Sequence, residues 1–497
     1  MALTTAEIQK FITDDICSKK KRIAAEGQRY YEAEHDILQY RMFYYNADGK
    51  LIEDTMRSNS KICHPFFTEL TDQLTYHLLS FNKNPIRAKE NIDGLQDQLD
   101  RYFNAKFWRE VGDLVTGAYA KGFEYLYCYK GKDNRTVFQC ADSMGVIEIK
   151  AKDADDQQDH ILYWYIDSIE KGEKTVKKIQ DWTKDATLYY VQIDNGKIIP
   201  DEEAEINPRP HIVFTDEKTG QKMGYGYGFI PFWRLDNNRK QFSGLKPIKH
   251  LIDDYDLHAC SLSNNLVDFD TPLHVVRGFQ GHGEKGLDEL QKNLKTKKIV
   301  GVDAEGGIDI QTVDIPYQAR KEKLEIDERG IYKFGMGFNA SQTGDGNITN
   351  VVIQSRYSLL DMKAGKMQDR LEALLEEIIP VVLDEINVEK GTGYEMVDVF
   401  FDFKRDTITN ETENITNEKT KAETQQIRIN TILNMAAEIG EDTVLRKLCD
   451  EFDLDYKAVK AEVEKQKEDQ SLNAARTALK GGVIDEPPAT ISTGTVS

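Results

Sequence analysis

The longest regular signal in the chain is a four-three alternation of apolar residues that follows a Gly/Asn-rich loop. Gly335-Met-Gly-Phe-Asn-Ala-Ser-Gln-Thr-Gly-Asp-Gly-Asn-Ile-Thr-Asn350 leads into it. Ile353, Tyr357, Leu360, Ala364, Met367, Leu371, Leu374, Ile378 and Val381 then step by four and three. The spacing lays one apolar seam along a helix from Val351 to about Ile386, suited to packing against a neighbouring element or subunit. At about 1.5 Å per residue such a rod is roughly 54 Å long, far beyond an average helix. Pro380 removes a backbone hydrogen bond and predicts a bend, with Gly365 a second weak point; a packing curve and a functional hinge both account for them. The loop has the glycine content of a phosphate cradle but no lysine, so it is not a P-loop. It reads instead as a pliant tip on a rigid lever.

The rest of the chain divides by period. Thr4 and Glu7 form a capping box ahead of Ile8, Ile12 and Ile16 on one helix face. Further amphipathic helices are predicted on Ile62, Phe66, Leu70, Leu74, Leu78 and Phe81, from Leu95 to Phe103, and from Val111 to a stop at Gly122. Short aromatic and β-branched runs separated by turn signals then predict a mixed or antiparallel β region over about 123–235. A second rod follows, with Leu245, Ile248, Ile252, Tyr255, Ala259, Leu262, Leu266 and Phe269 in one stripe and Pro247 in its first turn. A small mixed module at about 273–315 separates it from Tyr317–Phe334, a charge-dense helix with few positions that a core could bury. Met396–Phe403 alternates like a strand. Thr412–Ile439, Thr443–Phe452 and Tyr456–Gln466 read as helices, and Gly481–Ser497 as a disordered tail.

A chain of 497 residues has room for two to four units with real cores. No apolar run is long enough to span a bilayer, and the N-terminus has no secretory signal. Cys17, Cys63, Cys128, Cys140, Cys260 and Cys449 are scattered without CxxC pairs, which disfavours zinc and points to thiols in a reducing compartment. Formal charge is 65 − 85 = −20, unlike a protein that grips nucleic acid by neutralising phosphates. It remains compatible with one that lets a polyanion slide past.

The order rod, small module, charged rod, loop, long rod resembles the portal proteins of tailed double-stranded DNA bacteriophages of the siphovirus type. The resembling stretches are Gly228-Phe-Ile-Pro-Phe-Trp-Arg-Leu-Asp-Asn-Asn238, Leu245-Lys-Pro-Ile-Lys-His-Leu-Ile-Asp-Asp-Tyr-Asp256, Ser261-Leu-Ser-Asn-Asn-Leu-Val-Asp-Phe269 and Asn339–Lys363. The resemblance covers about 1–480 and implies an α+β portal fold. That fold would comprise a wing at 1–244, stem helices at 245–269 and 317–335, a clip at 270–316 and a tunnel loop at 336–350. A long kinked helix at 351–390, a wing strand at 391–410, a helical crown at 411–480 and the tail at 481–497 complete it. It also implies a ring, usually of twelve subunits, at one capsid vertex of the virion, made in the host cytoplasm. The ring would conduct double-stranded DNA in packaging and ejection without sequence specificity. It would dock the terminase motor and the neck or adaptor proteins, beside scaffold and major capsid protein, with no membrane contact. On this view apolar stripes lie between subunits and charge faces an aqueous channel.

The residues that would then carry function are Asn339, Ser341, Gln342, Thr343, Gly344, Asp345, Gly346, Asn347, Thr349 and Asn350, whose neutral polar side chains suit sequence-blind contact with DNA. An exposed connector is the plainer reading of the same loop. Arg320, Lys321 and Lys323 are expected on the channel stem, either in a salt-bridged face or in passing contact with phosphate. Lys292, Lys295, Lys297 and Lys298 form the densest basic cluster near the clip, a solvated helix face or a docking site for motor or adaptor. His77 reads as a core-edge residue, Gly224-Tyr-Gly-Tyr-Gly228 as a flexible turn, and Asp253, Asp254 and Asp256 as a solvated helix face. No catalytic constellation, metal site or cofactor motif is found, so an ATPase or nuclease is disfavoured; a non-portal neck or minor capsid protein is the nearer alternative.

Overall fold

The computed structural model describes residues 3–55, 57–81, 83–90, 92–131, 133–150, 158–170, 174–215, 222–268, 273–277, 292, 307–311, 316–339, 350–403, 411–434, 440–451 and 456–467. It is a mixed helix-and-strand fold in two units. The first comprises 1–347 and 351–407, the second 348–350 and 408–497.

Helices and short strands alternate at the start of the first unit. Helix α1 (Thr5–Ile16) carries the predicted capping box with both reciprocal bonds made, and α2 (Lys19–Tyr31) is capped by Ser18. A hairpin, β1 (Phe43–Tyr45) with β2 (Leu51–Glu53), precedes α3 (Phe66–Leu79). The helix expected from Ile62 begins only at Phe66. Pro65 disfavours helical backbone at His64, and the amides of 62 and 64 are already bonded elsewhere. Strand β3 (Ile86–Ala88), α4 (Leu95–Tyr102) and α5 (Ala105–Lys121) follow. Gly122 ends α5 at φ 101, a left-handed cap that glycine adopts without strain.

The β region is antiparallel throughout. Strands β4 (Phe123–Lys130) and β5 (Thr136–Ala141) pair beside β14 (Phe232–Asp236). Strands β6 (Val146–Lys150), β7 (Gln158–Glu170), β8 (Lys174–Trp182), β9 (Ala186–Ile193) and β10 (Ile199–Pro200) meander in sequence order, with β11 (Arg209–Pro210) also on β9. Strands β12 (Ile212–Thr215) and β13 (Lys222–Tyr225) form a hairpin. The segment expected as a flexible turn therefore starts in a strand, and only Gly228, at φ 80, has left-handed backbone.

Two long helices and their connection come next. Helix α6 (Lys249–Asp268) starts after a run of turns at 244–248, so Pro247 lies just before its first turn. Strands β15 (Leu273–Arg277) and β16 (Gly307–Gln311) pair at its far end, and α7 (Tyr317–Phe334) returns alongside it. Helix α8 (Asn350–Lys390) runs 41 residues with Pro380 inside. Of the strand expected at 396–403, residues Met396–Asp398 form a 3-10 turn and only β17 (Val399–Phe401) is extended, on β3. The second unit contains α9 (Glu411–Asn434), α10 (Glu441–Glu451) and a helix α11 at 456–467.

The seam of α8, suited by its spacing to a neighbouring element or a subunit, packs on its own chain. Leu360, Ala364, Met367, Leu371, Leu374 and Ile378 are buried in their own chain's main core, which they share with residues of α3, α5 and the root of α6. Burying each large apolar side chain contributes about 1.5–3 kcal/mol, so this helix is a core element and its stripe is not left for a neighbour. The stripe of α6 divides. Leu245, Ile248 and Ile252 join that core, whereas Leu266 near the far end is 55% exposed. Two smaller clusters complete the unit. One is aromatic, around Tyr125, Tyr127, Trp182 and Phe232; in the other, Ile8 and Ile12 of α1 cover Ile147, Leu162 and Ile179 of the meander.

Candidate functional site: a helix pair and the loop it leads into

Helices α6 and α7 lie antiparallel, and polar side chains fix their register. Lys323 of α7 bonds both Asp254 across the pair and Asp327 one turn on. Burial alone would lower the Lys323 pKa, but these two bonds outweigh it and hold it above the ordinary value. Arg320 donates to Ser261 Oγ at 3.3 Å and, with the Asn265 amide in its satisfied orientation, also to that side chain. Lys321 faces Glu325 at 3.9 Å on the exposed side. Arg320, Lys321 and Lys323, the cations for which a stem position is expected, each lie beside an acidic or polar partner on this helix pair.

The root of α6 is held by a buried polar cluster. Asp256, expected in a solvated face, is fully buried: it accepts from His35 Nδ1 at 2.6 Å, His64 Nδ1 at 2.8 Å and the His64 amide at 3.0 Å. Burial would raise its pKa, yet these bonds leave it below the usual carboxylate range. The correction has a topological cause, because residues 35 and 64 belong to a segment that wraps α6. That segment is a strap. The amides of Ser58, Ser60, Ile62 and His64 donate in turn to Asp268, Asn264, Cys260 and Asp256. Two residues of extended chain advance about 6.6 Å and four of helix about 6.0 Å, so the two elements stay nearly commensurate over four contacts. Neighbouring Asp253 bonds Lys249 and Tyr30.

The chain leaving α7 is clamped at its root. The Gln73 side-chain amide takes both backbone groups of Phe338: its oxygen accepts from the amide at 2.9 Å and its nitrogen donates to the carbonyl at 2.8 Å. The Phe338 ring stacks on Tyr357 of α8, with centroids 4.4 Å apart. Lys363 of α8 donates to the carbonyls of Leu70 and Gly335, each at 3.1 Å. Asn339 donates to Glu328 Oε1 at 2.9 Å, and Tyr332 donates to Glu69. Lys363 has no carboxylate among these partners, and burial pushes its pKa down to about 7. His77, expected at the edge of the core, is buried and faces Asp361 at 2.6 Å.

Of the predicted loop residues, Asn339 lies on this clamp and Asn350 opens α8. Ser341, Gln342, Thr343, Gly344, Asp345, Gly346, Asn347 and Thr349 lie outside the described residues. So do Lys295, Lys297 and Lys298; Lys292 is exposed. Gln73 and Lys363 were not singled out by sequence reasoning. Lys363 did leave a trace, as a cation interrupting the apolar stripe between Leu360 and Met367, whereas a glutamine on α3 leaves none. Among the described residues no group of three or more His, Cys, Asp and Glu is placed to hold a metal ion, and no helix is long and apolar enough to cross a membrane.

A helix pair with a two-stranded antiparallel sheet between its helices in the chain, leading through a clamped root into a core helix, is the element order noted from the sequence. The chain belongs to the phage portal protein family of the SPP1 Gp6-like type, whose match covers residues 9–471. It is 26% identical over 396 residues to the portal protein of Bacillus phage SPP1, spanning 78% of this chain and 75% of that one. It is 22% identical over 397 residues to the portal protein of Clostridium phage phiCD119, spanning 76% and 82%.

Proposed function

We propose that copies of this chain assemble into a closed ring at one capsid vertex, through which double-stranded DNA passes in packaging and ejection. The single observation that carries this reading is the family match across nearly the whole chain. In this reading α6 and α7 are the stem, the β15–β16 module with Lys292, Lys295, Lys297 and Lys298 is the clip facing the terminase motor and neck proteins, and residues 339–350 face the DNA. The second unit would form the crown. The protein is structural, part of the virion, with no catalytic step of its own.

The electrostatics of the helix pair support a conduit. A cation contributes to DNA affinity when it replaces counterions on phosphate. Lys323 is already neutralised by two carboxylates and Arg320 is tied to α6, so this wall offers a passing duplex little to hold. Together with a formal charge of −20, that favours sliding over gripping.

Electron-microscopy class averages and native mass of the purified full chain test the reading. Closed rings with a central opening are expected; monomers alone at every concentration and salt would overturn it.

A further inference from the structure

Among the described residues the β1–β2 hairpin pairs with no further strand. Register places Tyr44 opposite Ile52 and Tyr45 opposite Leu51, with Phe43 opposite Glu53. Phe43, Tyr45 and Leu51 therefore share one face, and Tyr44 and Ile52 the other. All five are between 40% and 73% exposed. An isolated two-stranded ribbon is marginal in water, and one with apolar side chains on both faces needs a cover.

The strap fixes where this hairpin stands. Its outgoing foot is Tyr40, whose carbonyl accepts from Asn59, and its returning foot is Ser58, bonded to Asp268 at the last residue of α6. The hairpin thus leaves the stem pair at its far end, about 18 Å along α6 from the buried Asp256 cluster. At that same end the pair exposes its own apolar residues: Leu266 and Val267 on α6, and Tyr317 at the start of α7. Both surfaces stay largely exposed in the same chain, with Leu266, Val267 and Tyr317 at 55%, 60% and 56% exposure, so the hairpin leaves its own chain's patch open.

We propose that residues 43–53 are an arm that docks on the Leu266–Val267–Tyr317 patch of the next copy of this chain. The inference rests on the ring reading above. Rotation about a ring axis carries each level of one subunit onto the same level of its neighbour. With the stem along that axis, arm feet and patch meet across the subunit boundary. Within 43–53 the charges Asp48, Lys50 and Glu53 sum to −1, and Arg41, just before the arm, pairs with Glu53 at 3.5 Å. Such an arm suits an apolar protein surface and not a nucleic acid. The second copy is also the one partner sure to present a bare patch at this height.

Two changes to the full chain test this. In a Cys17→Ser background, Tyr45→Cys with Leu266→Cys should give, on mild oxidation, a ladder of covalent multimers that neither single variant gives. Tyr44→Ser with Tyr45→Ser, both at exposed positions, should leave the far-UV circular dichroism unchanged. The same pair should raise the concentration needed to hold half the subunits in rings by about tenfold or more. Rings of wild-type stability in the serine variant, with no ladder from the cysteine pair, would overturn the docking while leaving the ring reading intact. A wild-type chain that forms no rings would overturn both.

Discussion

Lys363 offers the sharpest energetic prediction, because it is a buried cation bonded to carbonyls. Its pKa falls from the ordinary 10.5 to about 7 on burial. With the folded value below the unfolded one, the unfolded chain binds the extra proton between pH 7 and 10.5. Stability therefore rises with pH across that window, and the contribution is lost as pH falls through about 7. At about 1.4 kcal/mol per pH unit, the rise from pH 7 to pH 9 is roughly 2–3 kcal/mol. Lys363→Met keeps most of the volume and removes the titration. It forgoes the bonds to Leu70 and Gly335, a loss of about 1.5–3 kcal/mol each while the amine is charged. Relative to wild type, the variant should be at its best near pH 6 and lose ground steadily towards pH 9, by a few degrees in thermal midpoint. All four tryptophans, Trp108, Trp164, Trp182 and Trp233, lie in the first unit, so intrinsic fluorescence reports on the unit that contains Lys363. A difference between variant and wild type that does not change between pH 6 and 9 would refute the reasoning.

Other perturbations follow from the same geometry. Gln73→Ala strips both partners from the Phe338 backbone, so hydrogen exchange at that amide should speed up by about ten- to a hundredfold; unchanged protection would show that the clamp does not hold the loop root. Asp256→Ala leaves His35 and His64 without their shared acceptor and should cost about 3–5 kcal/mol in urea unfolding near neutral pH. Because the Asp256 pKa lies below the usual range, its contribution is present above the unfolded value and lost as pH falls; Asp256→Asn should therefore show a flatter acid limb than wild type. At Gly27 an added Cβ would lie 1.9 Å from the Ala120 backbone oxygen, so Gly27→Ala should force α2 off α5 and cost about 1–3 kcal/mol. Gly365→Ala meets nothing within 4 Å and should instead gain up to about 1 kcal/mol of helix propensity; thermal melts giving both variants the same sign would contradict this packing.

What the sequence determined by itself was local order. The capping box at Thr4, the stop at Gly122, the bounds of Tyr317–Phe334 and the long helix into which the glycine-rich loop runs all follow from caps, breakers and a 3.6-residue period. These signals depend only on residues a few positions apart, so one chain suffices to read them. The order of those elements, with the four motif stretches, also carried the family, which the match over residues 9–471 then showed.

Only the tertiary structure decided what each face meets. Periodicity announces that the α8 seam is buried somewhere, but the same stripe serves a neighbour or the chain's own core, and burial in a cluster shared with α3 and α5 settled it as core. Asp256 looked solvated because helix geometry separates it from Asp253 and Asp254; His35 and His64, 221 and 192 residues away in sequence, made its site buried and polar. Gln73 and Phe338 are separated by 265 residues and meet through one amide. Such pairings depend on how the whole core closes, and a local pattern in the sequence carries no record of that closure.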